Sequence, residues 1–153
     1  MKATIVMLAS MLMVSCANAQ KVDEANVPAK VKEAFTNKYP GVKAEKWEKE
    51  NTDYEAEFDW NKIESSATFD SNGNFKEFEQ EIKSSELPKT VVDYCTKNFA
   101  GYKLSEASKI TDASGKLMFE AEMEKGKDHF DAIFDEQGNF IKKSEPVSEK
   151  DND

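Results

Sequence analysis

The chain contains one unit written twice. "FDSNGNF" at 69–75 returns as "FDEQGNF" at 134–140, and a slide of 65 positions lays residues 54–75 over 119–140 without a gap, with 10 of 22 identical. A slide of 60 does the same for "VPAKVKEAFTNKYPG" and "LPKTVVDYCTKNFAG", so the second copy carries five extra residues near "KITDASGKL". A unit of about 55 to 60 residues is at the size where a lone domain is marginal, and it gains from sharing a core with a neighbour.

Within each copy the hydrophobic period changes once. Val27, Val31, Phe35 and Tyr39, and then Leu87, Val91, Cys95 and Phe99, recur at helical spacing. Pro28 and Pro88 open these predicted helices, and Pro40-Gly41 and Ala100-Gly101 close them. Alternation follows. Tyr54, Ala56, Phe58 and Trp60 point one way and Glu55, Glu57 and Asp59 the other, as a half-buried strand requires; Phe119, Ala121 and Met123 against Glu120, Glu122 and Glu124 repeat the pattern.

A two-residue turn at Trp60-Asn61, aligned with Lys125-Gly126, predicts a hairpin that pairs Phe58 with Ile63, Ala56 with Ser65 and Tyr54 with Ala67. That register sets Glu57 across from Glu64, Glu120 across from Asp131, and His129 opposite Glu122. The Asp-x-x-Gly-Asn runs read as a second hairpin loop, with Gly73 and Gly138 in the left-handed region. A calcium loop fits them worse. Calcium takes six to eight oxygens with a closing bidentate carboxylate, whereas the second copy has Gln137 and a Phe follows each Asn.

Further strands come from "KAEKWEKE" and "KLSEASKI" before these hairpins, and from "FKEFEQEI" and "FIKKSE" after them. The expected fold is α+β: two tandem helix-plus-four-strand repeats, at 26–82 and 86–145, forming a roughly eight-stranded antiparallel sheet. Both helices cover one face and leave the other open. The facing of the last strand stays ambiguous, because Phe75, Phe78 and Ile82 do not share a parity.

The N-terminus reads as an export signal over 1–19: Lys2, an apolar run at 5–14, and an Ala17-x-Ala19 cleavage pattern. The run is too short for the roughly 20 residues a spanning helix needs, and no comparable stretch follows. "MVSC" also resembles a lipoprotein box, so lipidation of Cys16 is a second reading. The expected location is periplasmic or secreted, with a membrane partner only if Cys16 is lipidated. Cleavage after Ala19 would leave Cys95 as the sole cysteine and no intramolecular disulfide. The polar tail, 146–153, is expected to be disordered.

A net charge of −9 repels phosphate backbones, so nucleic acid is not an expected partner, while a basic protein patch or a cation is acceptable. With one histidine, His129, and no nucleophile–base pattern, no catalytic site, metal or cofactor is expected. Tyr54, Phe58, Trp60, Phe119 and Phe130 belong to the covered face. The candidate partner surface is the open one: Glu55, Glu57, Asp59, Glu64, Glu120, Glu122, Glu124 and Asp131. Such a face either serves solubility or docks a basic patch that relieves its repulsion. Trp47, alternating with Glu48 and Lys49, is either an exposed contact residue there or a cover for the edge of the first helix.

"KYPGVKAEKWEKENTDYEAEF", followed by the FD-x-x-GNF turn, resembles the PepSY-like, β-lactamase-inhibitor-like family of secreted bacterial proteins, across both copies from about residue 26 to 145. The second copy departs from the pattern, with Ala100 for the Pro and Ala107 for the Trp. The resemblance implies a tandem fold like that of β-lactamase inhibitory protein, which grips an enzyme with its sheet's open face. The functional expectation is an exported, non-enzymatic protein-binding module, an inhibitor or modulator of a periplasmic or surface hydrolase. The alternatives are a cation- or ligand-binding envelope protein and a structural surface lipoprotein held by Cys16.

Overall fold

The computed structural model describes residues 20–144 and the backbone of 147–148. The expected signal at 1–19, with Cys16, lies outside the described residues. Two helices, α1 (Ala29–Lys38) and α2 (Lys89–Asn98), begin where the prolines direct. Pro28 O accepts from Val31 N and Lys32 N, and Pro88 O from Val91 N and Val92 N, so a proline's missing donor is not felt at the first turn. Among the described residues no helix is long and apolar enough to cross a membrane.

Among the described residues ten strands form one antiparallel sheet. A short β1 (Gln20–Lys21) precedes the first repeat, which supplies β2 (Lys46–Glu50), β3 (Asp53–Trp60), β4 (Ile63–Asp70) and β5 (Phe75–Glu81). The second supplies β6 (Lys103–Asp112), β7 (Leu117–Lys125), β8 (Asp128–Asp135) and β9 (Phe140–Lys143), and β10 (Val147–Ser148) follows it. Strands β1 to β8 lie in chain order, and both β9 and β10 pair with β8. The repeats join where β5 pairs with β6. Part of the tail expected to be disordered is ordered: Val147 and Ser148 pair with His129 and Asp128, giving the β8 edge a partner.

The hairpin register differs from the expected one by two residues. Phe58 faces Ser65, Ala56 faces Ala67 and Tyr54 faces Phe69, with Asn61-Lys62 as the turn. Both turn residues sit at positive φ, 54° and 67°, which a tight hairpin turn imposes on its two central positions, and Asn is well suited to the first. In the second copy Lys125 faces Asp128, and Gly126 takes φ 65°. A shift of two preserves which face each side chain occupies, so the division into apolar and acidic faces stands. Individual pairings do not. Glu57 faces Ser66, Glu64 faces Asp59, Glu120 faces Ile133, Glu122 faces Asp131, and His129 faces Glu124.

A β-bulge resolves the facing of the last strand. Phe69 faces Phe75 while Ala67 faces Phe78, so one extra residue on β5 brings Phe75 and Phe78 to the same side. The second repeat repeats the device, with Phe134 facing Phe140 and Ala132 facing Lys143.

The helix-bearing face holds two cores, not the single shared core expected from the size of the unit. Val31, Phe35, Tyr39, Trp47, Phe58 and Phe69 center the first, and Val91, Cys95, Met123, Phe130 and Phe134 the second. Each helix fills its own repeat with rings packed edge to face, such as Phe35 on Phe58 at 5.0 Å and Phe99 on Phe130 at 5.0 Å between centroids. What the repeats share is the β5–β6 ladder and the face beyond it.

Candidate functional site

The helix-free face carries Lys46, Glu48, Glu55, Glu57, Ser66, Glu77, Glu79, Ser108, Glu120, Glu122 and Asp131, as the strand pairings dictate. It is not flat. Lys142 on β9 acts on the carboxyl of Glu77 on β5, and Glu55 on β3 acts on Glu120 on β7. In a flat sheet each pair would stand roughly 19 Å apart, four strand spacings. The sheet therefore curls toward the side without helices and draws these side chains together.

Curling buries the center of the face, where Glu79 is 4 % exposed, Glu120 3 % and Asp131 2 %. Charge in such a floor is expensive unless paired. Burial first, then the charges of Glu55, Glu77 and Asp131, push Glu79 well above the usual carboxylate range, with a hydrogen bond to Ser108 opposing. Glu120 is raised as well, by burial, then Glu79 and Asp131. Among the described residues Glu79 Oε1 and Glu120 Oε2 have no hydrogen-bond partner. Glu55 is pushed up to about 7 by burial, with a hydrogen bond to Ser66 working against it and the charges of Glu57, Glu48 and Glu77 adding to it.

One lysine of the chain enters this face in the first repeat. Lys46 Nζ lies 2.9 Å from Glu48 Oε1 and 2.9 Å from Glu57 Oε1. Burial opposes the charged amine, but the two carboxylates outweigh it and raise its pKa. At the rim the carboxylates crowd without such relief. Glu64 is raised by burial, then by Glu81, Glu106, Glu57 and Asp59; Glu122 is raised by burial and by Glu106 and Glu124, against a hydrogen bond from Ser105 and the pull of His129. Asp59, Glu64, Glu81, Glu106, Glu122 and Glu124 thus form one acidic band across β3 to β7.

Three of the expected surface residues cannot meet a partner directly. Trp47 is 4 % exposed, with its ring 5.5 Å from that of Phe35, so it belongs to the first core; it covers the first helix from beneath instead of projecting outward. Glu120 and Asp131 lie in the buried floor because the sheet curls over them, and Glu55 is largely covered beside them. Glu57 and Glu122 are half-buried, and Asp59, Glu64 and Glu124 are exposed. Lys46, Glu48, Glu77, Glu79, Glu81 and Glu106 were not foreseen. The alternation in "KWEKE" and "FKEFEQE" is a visible signal for all but Glu106, obscured on β5 by the bulge; Glu106 lies in the bulged start of β6.

The Asp-x-x-Gly-Asn runs are turns. Asp70 Oδ1 accepts from Asn72 N at 2.8 Å and Asn74 N at 2.9 Å, while Oδ2 accepts from Asn74 Nδ2 at 2.8 Å; Asp135 repeats the pattern with Gln137 and Asn139. The oxygens that a cation would need are engaged by the loop's own N–H groups. Among the described residues, no three carboxylate, histidine or cysteine side chains converge as metal ligands.

The chain matches the family described as "Putative beta-lactamase-inhibitor-like, PepSY-like" over residues 12–64 and 60–142. No curated protein matches it. Among solved structures, a BLIP-like protein from Bacteroides fragilis is 23 % identical, covers 82 % of this chain and 91 % of its own, and superposes with a TM-score of 0.59. A DUF2874 family protein from Bacteroides uniformis is 17 % identical over 76 % of this chain and 88 % of its own, with a TM-score of 0.64. A structure from Bacteroides eggerthii described as "putative periplasmic proteins" is 15 % identical over 82 % and 93 %, with a TM-score of 0.67. At these identities the likeness is one of fold.

Proposed function

We propose, on the premise that this chain belongs to the PepSY-like, β-lactamase-inhibitor-like family, that it is an exported, non-enzymatic module that binds a partner protein through its curled, helix-free face. One observation carries this reading. Burial and the neighbouring carboxylates of the band raise the pKa of Glu64 and of Glu122, and among the described residues none of Glu64, Glu81, Glu106 and Glu122 is ion-paired with a lysine of this chain. Solubility needs charge, but not charge gathered in a concavity at a cost to the fold. A basic segment of a partner removes the repulsion and is drawn in along the field.

An inhibitor or modulator of a periplasmic or cell-surface hydrolase is the finer form of the proposal. It draws on the family description and on the fold shared with the BLIP-like protein of Bacteroides fragilis. A periplasmic location is in keeping with the expected signal at 1–19. The cation-binding alternative finds no converging ligands among the described residues. Mass measurement of the mature N-terminus separates free Gln20 from a lipidated Cys16.

The test is capture of envelope proteins by the purified domain, compared with a variant carrying Glu64→Gln and Glu122→Gln, at about 0.1 M and 1 M salt. The wild type is expected to retain a partner at low salt that the variant and high salt both release. The same proteins held by both forms at both salts would overturn the proposal.

A further inference from the structure

We infer that the second repeat holds a socket for a lysine side chain of the partner, at the Glu106–Glu122 position that Lys46 fills from within the chain in the first repeat. The inference rests on the docking reading above and adds which half of the face engages and which group it takes.

The duplication supplies the template. In the two alignments Lys46 corresponds to Glu106, Glu57 to Glu122, Glu55 to Glu120 and Ser66 to Asp131. In the first repeat Lys46 stands opposite Glu57 on the ladder and its amine reaches two carboxylates at 2.9 Å. In the second, the bulge between Leu104 and Ala107 carries Ser105 and Glu106 past Glu122. Ser105 Oγ donates to Glu122 Oε1 at 2.6 Å, while Glu106 repels that carboxyl where an ammonium attracts its counterpart. The charge of Glu106 also raises Glu64 on β4, after burial and Glu81, so the same field extends across the sheet.

An independent sign lies in the floor beside the socket. Glu120, two residues from Glu122 on the same face of β7, is 97 % buried with Oε2 unpartnered. Its counterpart Glu55 receives a hydrogen bond from Ser66, and Asp131 replaces that hydroxyl in the second repeat. An ammonium and a hydroxyl of the first repeat have thus become two carboxylates in the second. The half so altered is rich in negative charge, and at Glu106 and Glu122, which a partner can reach, a primary ammonium with three donors on a compact charge supplies what Lys46 supplies in the first repeat.

Fluorescence anisotropy with labelled tetralysine at about 50 mM salt tests this on the mature protein. Glu106→Lys reproduces the first repeat's arrangement and is expected to weaken binding about tenfold, and Glu106→Gln by less. Glu33→Lys, an exposed position on α1 behind the sheet, makes the same change in net charge and is expected to leave affinity within about twofold. Thermal melts of each variant accompany the titrations, and Glu106→Lys is expected to melt at or above the wild type because the new amine pairs with Glu122. Equal weakening by Glu33→Lys and Glu106→Lys, or no weakening by Glu106→Lys and Glu106→Gln, overturns the socket but leaves the docking reading standing. Absence of tetralysine binding by the wild type overturns both.

Discussion

Gly73 and Gly41 share a left-handed backbone, φ +84° and +80°, yet differ in what surrounds them. A Cβ on Gly73 would fall 2.6 Å from the carbonyl oxygen of Lys30, because this turn packs against α1, whereas Gly41 has open space on that side. Gly41→Ala is expected to cost about 1 kcal/mol, the price of the conformation alone, and Gly73→Ala about 2 kcal/mol more, as read from urea unfolding. Equal losses would show that the turn yields without disturbing the helix. Lys46 poses the electrostatic counterpart. Lys46→Ala strands the nearly buried Glu48 and should destabilise by about 2 to 3 kcal/mol at pH 8, with part of the loss recovered on adding Glu48→Gln. A variant as stable as the wild type would mean that the ion pair adds nothing to the fold. Both residues were legible as to role only in part: "GNF" announced a turn, but nothing in the local pattern placed Lys30 beside it.

At the scale of elements, the hairpin turn decides the register and its residues decide the turn. Lys62 holds φ 67° without being glycine, a conformation its side chain disfavors. Lys62→Gly is expected to stabilise by about 0.5 to 1 kcal/mol and raise the melting temperature by a few degrees. Destabilisation would mean that the lysine side chain makes an interaction worth more than the strain. The two-residue difference between expected and observed pairing arose here, because alternation specifies faces and leaves a slip of two unpunished. Bulges acted in the same way. Phe75, Phe78 and Ile82 could not be assigned to one face from spacing, since the extra residue that reconciles Phe75 with Phe78 shows only when β4 is laid against β5.

For the whole molecule, the curled face makes stability depend on pH in an uncommon direction. Burial and neighboring carboxylates raise Glu55 to about 7 and raise Glu77, Glu79, Glu120 and Glu122 above their ordinary value of 4.5. Above pH 4.5 the unfolded chain has released protons that the folded chain still holds, so rising pH favors unfolding through pH 7 and beyond for the Glu79–Glu120 pair. Asp70, Asp112 and Asp135, lowered chiefly by hydrogen bonds from Asn74, Ser114 and Asn139, lose their contribution only as pH falls below about 3.8. The melting temperature is therefore expected to be highest near pH 4 to 5 and to fall by several degrees toward pH 8, with a shallower fall in Glu79→Gln. Added salt should raise it at pH 8 more than at pH 5, since it screens only ionised carboxylates. A profile that rises from pH 5 to 8 would contradict the buried acidic floor.

The sequence by itself determined the duplication, the helix-plus-four-strand unit, the turns and the sorting of side chains between an apolar and an acidic face. Those follow from spacing, proline and glycine, which act over a few residues. Only the tertiary structure decided that each repeat keeps its own core, that Trp47 turns inward, and that Glu120 and Asp131 sink while Asp59, Glu64 and Glu124 stay in solvent. Exposure on one side of a sheet depends on how far the sheet curls, and curl brings together residues from strands four apart, a distance that no local period records.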